Sequence, residues 1–187
     1  MKKGLLIVLS GPSGVGKGTM YSRLLKIMPE LTVSVSATTR KPRDGEINGV
    51  HYYFMNKEKF VCMRENGEFL EWAETVGNYY GTPKAPVLSK LSEGKDVLLE
   101  IDVKGARQIK AAYPDCVTIF VLPPSESELA RRLRGRGTET DEQVKARLAL
   151  AVSEIGESGE FDHRAVNADL DTAVAEVTDI IRKAKGE

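Results

Sequence analysis

The chain has 187 residues, enough for one compact domain that buries its own apolar core and carries small inserted lobes. Its 27 basic residues balance its 27 acidic residues, and zero net charge argues against a nucleic-acid partner, since such proteins usually carry a basic excess. No apolar run approaches the length of a membrane span and no secretory leader is visible, so we expect a cytoplasmic protein with no membrane partner. Cys62 and Cys116 lie far apart and are expected to be reduced.

Continuous apolar runs predict the buried strands of a parallel sheet. They cover residues 5–9, 97–101 and 117–122, and helical patterns lie between them. In residues 170–185 an apolar residue returns about every four positions, which predicts a helix that packs on the sheet. The residues on that face are Leu170, Val174, Val177 and Ile181. The sequence therefore predicts an α/β fold with a parallel sheet flanked by helices.

A glycine-rich segment follows the first strand directly. It reads Gly11-Pro12-Ser13-Gly14-Val15-Gly16-Lys17-Gly18-Thr19. A buried strand, a glycine-rich turn with a lysine and then a helix form the arrangement that a phosphate-binding loop requires. The glycines let backbone N–H groups turn toward an anion, and Lys17 adds positive charge for the outer phosphates. The helix is predicted from Met20, Leu24, Ile27 and Met28 on one face, ending before Pro29. This segment predicts binding of a nucleoside triphosphate.

The loop departs from the usual pattern at one position. Residue 18 is glycine, so the hydroxyl that usually follows the lysine and reaches Mg²⁺ is missing. We expect phosphates and water to hold Mg²⁺, with Thr19 and Asp102 contributing indirectly through water. Glu100 and Asp102 are predicted on one strand face at its carboxyl end, where acids suit Mg²⁺ or a substrate contact. For Asp102, capping of the next helix is the alternative.

Residues 36–82 predict an inserted lobe with a small mixed or antiparallel sheet. Arg40 and Arg43 lie three residues apart around Pro42, so they either clamp one phosphate or belong to a solvated basic loop. Glu71 is an acid within an apolar stretch, and a buried carboxylate needs donors. Guanine offers N1–H and N2–H₂ together, whereas adenine presents an acceptor at N1. An arginine partner would explain Glu71 equally well.

Residues 125–159 carry a high density of arginine. Ser125 with Glu128, and Thr140 with Gln143, each predict a capping box, so two helices flank a hinge at residues 135–137. The second helix has an apolar face of Val144, Leu148, Ala151 and Ile155. Arg136 lies in this hinge, and Arg147 has no carboxylate four residues away that would pair with it on the helix. In an open state without nucleotide we expect both side chains to be largely exposed. Together these features predict a mobile helical lid.

Motifs spread over nearly the whole chain resemble, in order, those of the guanylate kinases, which phosphorylate GMP with ATP. They are residues 11–17, 36–46, 69–73, 77–82, 100–102, 135–140 and 166–171. The resemblance implies a phosphate-loop NTPase core at residues 1–35, 83–124 and 160–187. It implies a GMP-binding lobe at residues 36–82 and a helical lid at residues 125–159.

The resemblance also implies roles for individual residues. Those expected to contact GMP are Ser36, Arg40, Arg43, Tyr52, Glu71, Tyr80, Thr82 and Glu100. Those expected to hold ATP are Gly11, Pro12, Ser13, Gly14, Val15, Gly16, Lys17, Gly18, Thr19, Arg132 and Asn167. Those expected to act in catalysis are Lys17, Arg40, Arg136 and Arg147.

The implied activity is Mg²⁺-dependent transfer of the ATP γ-phosphoryl group to GMP, and also to dGMP, by a monomer or a homodimer. It would serve purine nucleotide metabolism and GMP recycling. A kinase of another nucleoside monophosphate is an alternative that Glu71 disfavours, because its carboxylate suits guanine. A second alternative is a catalytically silent guanylate-kinase-like interaction module. Such modules typically lose the loop lysine, which this chain keeps as Lys17.

Overall fold

Strands and helices alternate along most of the chain, as an α/β fold requires. The computed structural model describes residues 3–75, 77–135 and 140–187. The strands are β1 (Leu6–Ser10), β2 (Thr32–Val33), β3 (Ala37–Thr38), β4 (Tyr53–Phe54), β5 (Phe69–Thr75), β6 (Asn78–Pro83), β7 (Val97–Glu100), β8 (Val117–Leu122) and β9 (His163–Val166). The helices are α1 (Lys17–Ile27), α2 (Lys57–Glu65), α3 (Lys84–Ser92), α4 (Val103–Ala112), α5 (Glu126–Arg134), α6 (Asp141–Gly156) and α7 (Leu170–Lys185). A short 3₁₀ helix covers Ser158–Glu160.

The larger sheet is parallel, and its strand order is β2-β7-β1-β8-β9. Ile7 of β1 lies opposite Val117 of β8, and Ile119 of β8 lies opposite His163 of β9. All five residues of β1 are buried, as is the middle of β8. Burial on both faces explains why these strands read as continuous apolar runs rather than as alternating patterns. The predicted parallel sheet is confirmed.

The smaller sheet is mixed, with the order β4-β3-β6-β5. Its β5–β6 and β3–β6 pairs are antiparallel, whereas β3 and β4 pair in parallel. A mixed sheet was one of the two predicted forms. Beneath it, Phe60 of α2 stacks on Phe69 of β5 with ring centroids 4.5 Å apart. These rings and Ala37 form a separate small core.

The chain forms two compact units. One consists mainly of Leu31–Leu99 and Lys104–Cys116, and it contains the smaller sheet. The other consists of Ile7–Glu30, Glu100–Val103 and Val117–Glu187, and it contains the residues that follow β1 as well as α5 to α7. The predicted division into core, lobe and lid stays a prediction.

The helix predictions are mostly confirmed. α7 has the predicted bounds, and Val174, Val177 and Ile181 are buried on its inner face. In α1, Met20 and Leu24 are buried as expected, but Ile27 is 50% exposed, so its assignment to the apolar face was wrong. Ile27 is the last residue of α1, and the next residue, Met28, is buried as expected.

The two predicted capping boxes have different outcomes. Thr140 and Gln143 form both bonds of the box at the start of α6. Ser125 caps α5 by accepting from the Glu128 backbone. The Glu128 carboxylate, however, accepts from Arg131 and Arg132, at 2.7 and 2.8 Å, instead of returning to the cap. Charge-assisted bonds to two guanidinium groups outweigh one bond to a backbone N–H.

Two further sequence expectations concern the chain as a whole. Cys62 is exposed and Cys116 is buried, and neither forms a disulfide. Among the helices of the described ranges, none combines the length and the apolar character that a membrane span needs.

Candidate active site

Residues 11–16 connect β1 to α1, and the backbone of this loop requires glycine at several positions. Gly11 has φ of 143°, and a Cβ atom there would collide with the carbonyl oxygen of Val121. Gly16 has φ of 100°, and its Cβ would lie 2.6 Å from Nδ2 of Asn167. Helix α1 then begins at Lys17 with Gly16 at its N-cap, and this residue provides no side-chain cap to the N–H groups of the first turn. A helix N-terminus of this kind binds phosphate readily.

Lys17 lies against its own loop. Its Nζ donates to the carbonyl oxygens of Gly11 and Pro12, the second at 3.2 Å. Its charge also acts on Glu100, the last residue of β7. Desolvation raises the pKa of the Glu100 carboxyl, and the positive charge of Lys17 partly offsets this effect, although the residue keeps access to water. A cation and a carboxylate therefore lie together at the start of α1.

The structure separates the two acids that were predicted to share a strand face. β7 ends at Glu100, and Asp102 lies half-buried in the short connection before α4. The expectation of one strand face was wrong because the strand is shorter than the apolar pattern suggests. A Cβ at Gly18 would lie 3.9 Å from both carboxylate oxygens of Glu100. Thr19, one residue further, is exposed.

Arg132 and Asn167 both bind the loop at Val15. Asn167 is buried and donates from Nδ2 to the Val15 carbonyl at 2.8 Å. Arg132 donates to the same carbonyl at 3.2 Å and to the Asn167 carbonyl at 3.0 Å. Its Nε donates to Glu128 at 2.8 Å, which fixes the guanidinium. The structure thus brings together three residues that were expected at the ATP site, although they are distant in sequence.

Arg147 is half-buried, and its Nη1 donates to Ser13 Oγ at 2.9 Å. The expectation that its side chain would be largely exposed was therefore wrong. Position 147 lies one helical turn after the buried Val144, and this turn of α6 brings the guanidinium to the loop. Arg136, the other arginine assigned to the lid, lies outside the described residues.

A second group of predicted residues lies in the other unit, around Glu71. Glu71 is only 5% exposed, and its Oε1 accepts from Thr82 Oγ1 at 2.6 Å. These residues are opposite each other on the antiparallel strands β5 and β6. A Cβ at Gly105 of α4 would collide with the other carboxylate oxygen. The expectation that Glu71 is a buried acid with a hydrogen-bond donor is confirmed.

Arg40 binds Glu46 through both of its terminal nitrogens, at 2.9 and 2.8 Å. Glu46 also accepts from the backbone N–H of Arg43 at 2.7 Å. Hydrogen bonding to Arg40 lowers the pKa of Glu46 to about 2, and the same pair raises the pKa of Arg40, to which Tyr80 also contributes. The side chain of Arg43 is exposed. The sequence analysis did not single out Glu46. Its position three residues after Arg43 was a signal that could have identified it, because Gly45 has a positive φ and turns the chain between them.

Aromatic rings surround Arg40. Its guanidinium carbon lies 5.4 Å from the ring centre of Tyr52 and 5.7 Å from that of Phe54. Tyr52 and Tyr80 meet edge to face at 6.1 Å. Ser36 lies just before β3, and its carbonyl accepts from the Tyr53 backbone at 2.8 Å. Two of the predicted GMP contacts, Tyr52 and Tyr80, therefore lie close to the Arg40 guanidinium.

A protein-family model described as guanylate kinase matches residues 3–184 of the chain. The chain belongs to the guanylate kinase family. It is 51% identical over 185 residues to a guanylate kinase of Carboxydothermus hydrogenoformans. This alignment covers 99% of this chain and 91% of that protein. It is 54% identical over 171 residues to a guanylate kinase of Trichormus variabilis, covering 91% of this chain and 86% of that protein.

Solved structures give the same family assignment. The fold is similar to that of a guanylate kinase from Anaplasma phagocytophilum, with a TM-score of 0.82 and 35% sequence identity. The match covers 97% of this chain and 86% of that one. The guanylate kinase resemblance and the α/β fold predicted from the sequence are thus confirmed.

Proposed function

We propose that this chain transfers the γ-phosphoryl group of ATP to GMP, giving ADP and GDP. The observation that carries the proposal is the guanylate kinase family model, which matches residues 3–184 of a chain that retains the loop lysine, Lys17. The curated relatives at about half identity are named guanylate kinases. An interaction module without catalysis would have no use for a lysine held at the start of α1.

ATP binds at residues 11–19 in this proposal. The uncapped first turn of α1 supplies backbone donors to the phosphates, and Lys17 exchanges its bonds to the loop carbonyls for bonds to phosphate oxygens. Arg132 and Asn167 hold the Val15 carbonyl and so fix the shape of the loop, and Asn167 lies near the adenine. The support for this assignment is that all these groups meet in one unit.

GMP is recognised through its base by Glu71. A carboxylate accepts from guanine N1–H and N2–H₂ at once, whereas the acceptor at adenine N1 would face it with no proton between them. Thr82 holds one carboxylate oxygen of Glu71 and leaves lone pairs for the base. Glu100 is the further GMP contact that we propose, from the end of β7.

The phosphate of GMP is bound in this proposal by Arg40 and Arg43, with Tyr52, Tyr80 and Ser36 around it. Lys17, Arg40, Arg136 and Arg147 then neutralise the charge on the phosphoryl group as it moves in line from ATP to GMP. The attacking phosphate oxygen is already anionic near neutral pH, so no strong general base is needed.

Phosphoryl transfer from ATP generally uses Mg²⁺, and the oxygen donors near the start of α1 fit this hard cation. The Glu100 carboxylate lies beside Gly18, and the exposed hydroxyl of Thr19 follows. We assign Thr19 and Asp102 to water molecules of the hydrated ion. When bound, Mg²⁺ supplies charge neutralisation at the β- and γ-phosphates. We place the reaction in the cytoplasm.

A coupled assay for ADP release tests this function. The protein is given ATP and Mg²⁺ with GMP, dGMP, AMP, UMP or CMP, and we expect turnover with GMP and dGMP. Preference for another monophosphate would contradict the role of Glu71. GMP binding without turnover would indicate the interaction module instead.

A further inference from the structure

β5 carries Glu71 and lies at the edge of the smaller sheet, next to β6 only. The backbone N–H and C=O groups on the outer side of an edge strand need partners other than a neighbouring strand. At Trp72, the residue after Glu71, both of these groups bind one side chain. The backbone N–H donates to Oε1 of Gln108 at 3.2 Å, and Nε2 of Gln108 donates to the carbonyl oxygen at 2.7 Å.

Gln108 lies on α4, so its amide replaces a strand at this one position and ties the helix to β5. The amide also makes a longer bond, 3.4 Å, to the Lys104 carbonyl one turn earlier on α4. Its orientation is therefore held from the helix side as well as from the strand side. Trp72 and Gln108 belong to the same compact unit.

The same helix lies against the carboxylate of Glu71. Gly105, one turn before Gln108, leaves no room for a Cβ atom beside Oε2 of Glu71, while Thr82 holds Oε1. The position of this carboxylate therefore depends on the distance between α4 and β5. The bonds from Gln108 to Trp72 fix that distance at the adjacent residue.

We propose that Gln108 is a positioning residue for guanine recognition, acting through Glu71 and not by contact with the substrate. The inference rests on the proposed function, in which Glu71 accepts from guanine. A carboxylate that pairs with two donors of one ring tolerates little displacement, because a shift that improves one bond lengthens the other. Without Gln108, α4 and β5 separate slightly and the two bonds to guanine weaken together.

The test uses Gln108→Met, which keeps the length of the side chain but removes the hydrogen bonds of the amide to Trp72 and Lys104. We expect the KM for GMP to rise about tenfold, with kcat within about twofold and the KM for ATP unchanged, since displacements of the order of 1 Å cost up to about 10²-fold. Inosine monophosphate lacks the 2-amino group and so already forgoes one bond to Glu71. The preference for GMP over this analogue should therefore fall in the variant.

The matched control is Asn56→Ala, which also removes one side-chain bond to backbone in the same unit, at the N-cap of α2. It should leave the preference for GMP over inosine monophosphate unchanged. In a Glu71→Gln background, Gln108→Met should not change this preference further, because the carboxylate through which it acts is gone.

An equal fall in kcat/KM for GMP and for inosine monophosphate, or no change for either, would overturn the proposal. Gln108 would then serve only to bind the edge of the sheet. Gln108 is exposed, so the variant is expected to fold, and its melting curve checks this. Calorimetric titration with GMP repeats the comparison without turnover. A wild-type protein that does not phosphorylate GMP would instead overturn the proposed function itself, and the two failures are thereby distinguished.

Discussion

The guanidinium of Arg40 is bound to the carboxylate of Glu46 through two parallel hydrogen bonds, at 2.9 and 2.8 Å. This fork-to-fork geometry is the one that arginine uses to bind a phosphate. Only about a sixth of either side chain is accessible to solvent, with values of 15% for Arg40 and 17% for Glu46. The pair therefore links the residue proposed to hold the GMP phosphate to its own loop.

This pair makes stability depend on pH in a defined way. Glu46 has a pKa of about 2 in the folded protein, against an ordinary value of 4.5. The stabilisation of the fold by its ionised carboxylate is therefore complete above pH 4.5 and is lost as the pH falls through 2. Glu46→Gln should lower the free energy of unfolding by about 1 kcal/mol at pH 7, after allowance for solvent screening. The difference from wild type should shrink between pH 4.5 and 2, measured by urea unfolding at each pH. Identical curves at every pH would contradict this account. Glu93→Gln, at a more exposed pair with Lys95, should have a smaller effect.

Lys17 is the residue on which the phosphoryl-transfer proposal depends most. Lys17→Ala should lower kcat by about 10²–10³-fold, because a fixed charge beside the transferring group is lost. The fold should persist, since the lost bonds to the Gly11 and Pro12 carbonyls lie within one loop. Steady-state kinetics and circular dichroism measure the two effects. The control is Lys26→Ala, an exposed lysine on the same helix. Near-normal turnover, or an unfolded variant, would count against the assignment.

Patterns that extend over many consecutive residues could be predicted from the sequence, whereas contacts between distant residues could not. The periodicity of α7 gives its bounds over sixteen residues, and the continuous apolar runs give β1, β7 and β8. Strands of two residues, such as β3 and β4, are too short to show a period, so their parallel pairing has no sequence signal.

The candidate site likewise contains residues that local spacing predicts and residues that only contacts between distant parts of the chain bring together. The loop at residues 11–19 is contiguous, and its glycines and lysine could be predicted from spacing alone. The bond from Asn167 to Val15 joins residues 152 positions apart, and only the resemblance pointed to Asn167. The exposure of Arg147 was mispredicted because helix spacing reports partners within α6 and not the approach of Ser13. Gln108 carries no motif at all, since its role arises from the packing of α4 on β5.

Glu71→Gln tests base choice at nearly constant volume. The amide places donors opposite the donors of guanine, so the transition-state stabilisation measured by kcat/KM for GMP should fall by about 2–4 kcal/mol. AMP, whose N1 is an acceptor, should gain relative to GMP. The matched control is Glu74→Gln on the same strand, where the side chain is exposed. If GMP kinetics barely change in Glu71→Gln, Glu71 is a structural acid.

Of the two lid arginines that are proposed to act in catalysis, Arg147 is the one that the structure describes, and its bond to Ser13 allows its structural and catalytic roles to be separated. Arg147→Ala should lower kcat by about 10²–10⁴-fold, because a guanidinium that neutralises a transferring phosphoryl group acts chiefly in the transition state. The dissociation constant for GMP alone should change little. Loss of the partly exposed hydrogen bond to Ser13 should reduce the free energy of unfolding by no more than about 1 kcal/mol.

The control for Arg147 is Lys145→Ala, an exposed cation two residues earlier on α6, which should leave kcat and stability near wild type. Kinetics, calorimetric titration with GMP and thermal unfolding are measured on both variants. If Arg147→Ala loses activity only in proportion to a loss of folded protein, the arginine holds α6 against the loop and has no part in the transfer. If it loses activity while the melting temperature is kept, the positive charge itself acts on the phosphoryl group, because Ser13 remains in place and only the guanidinium is gone.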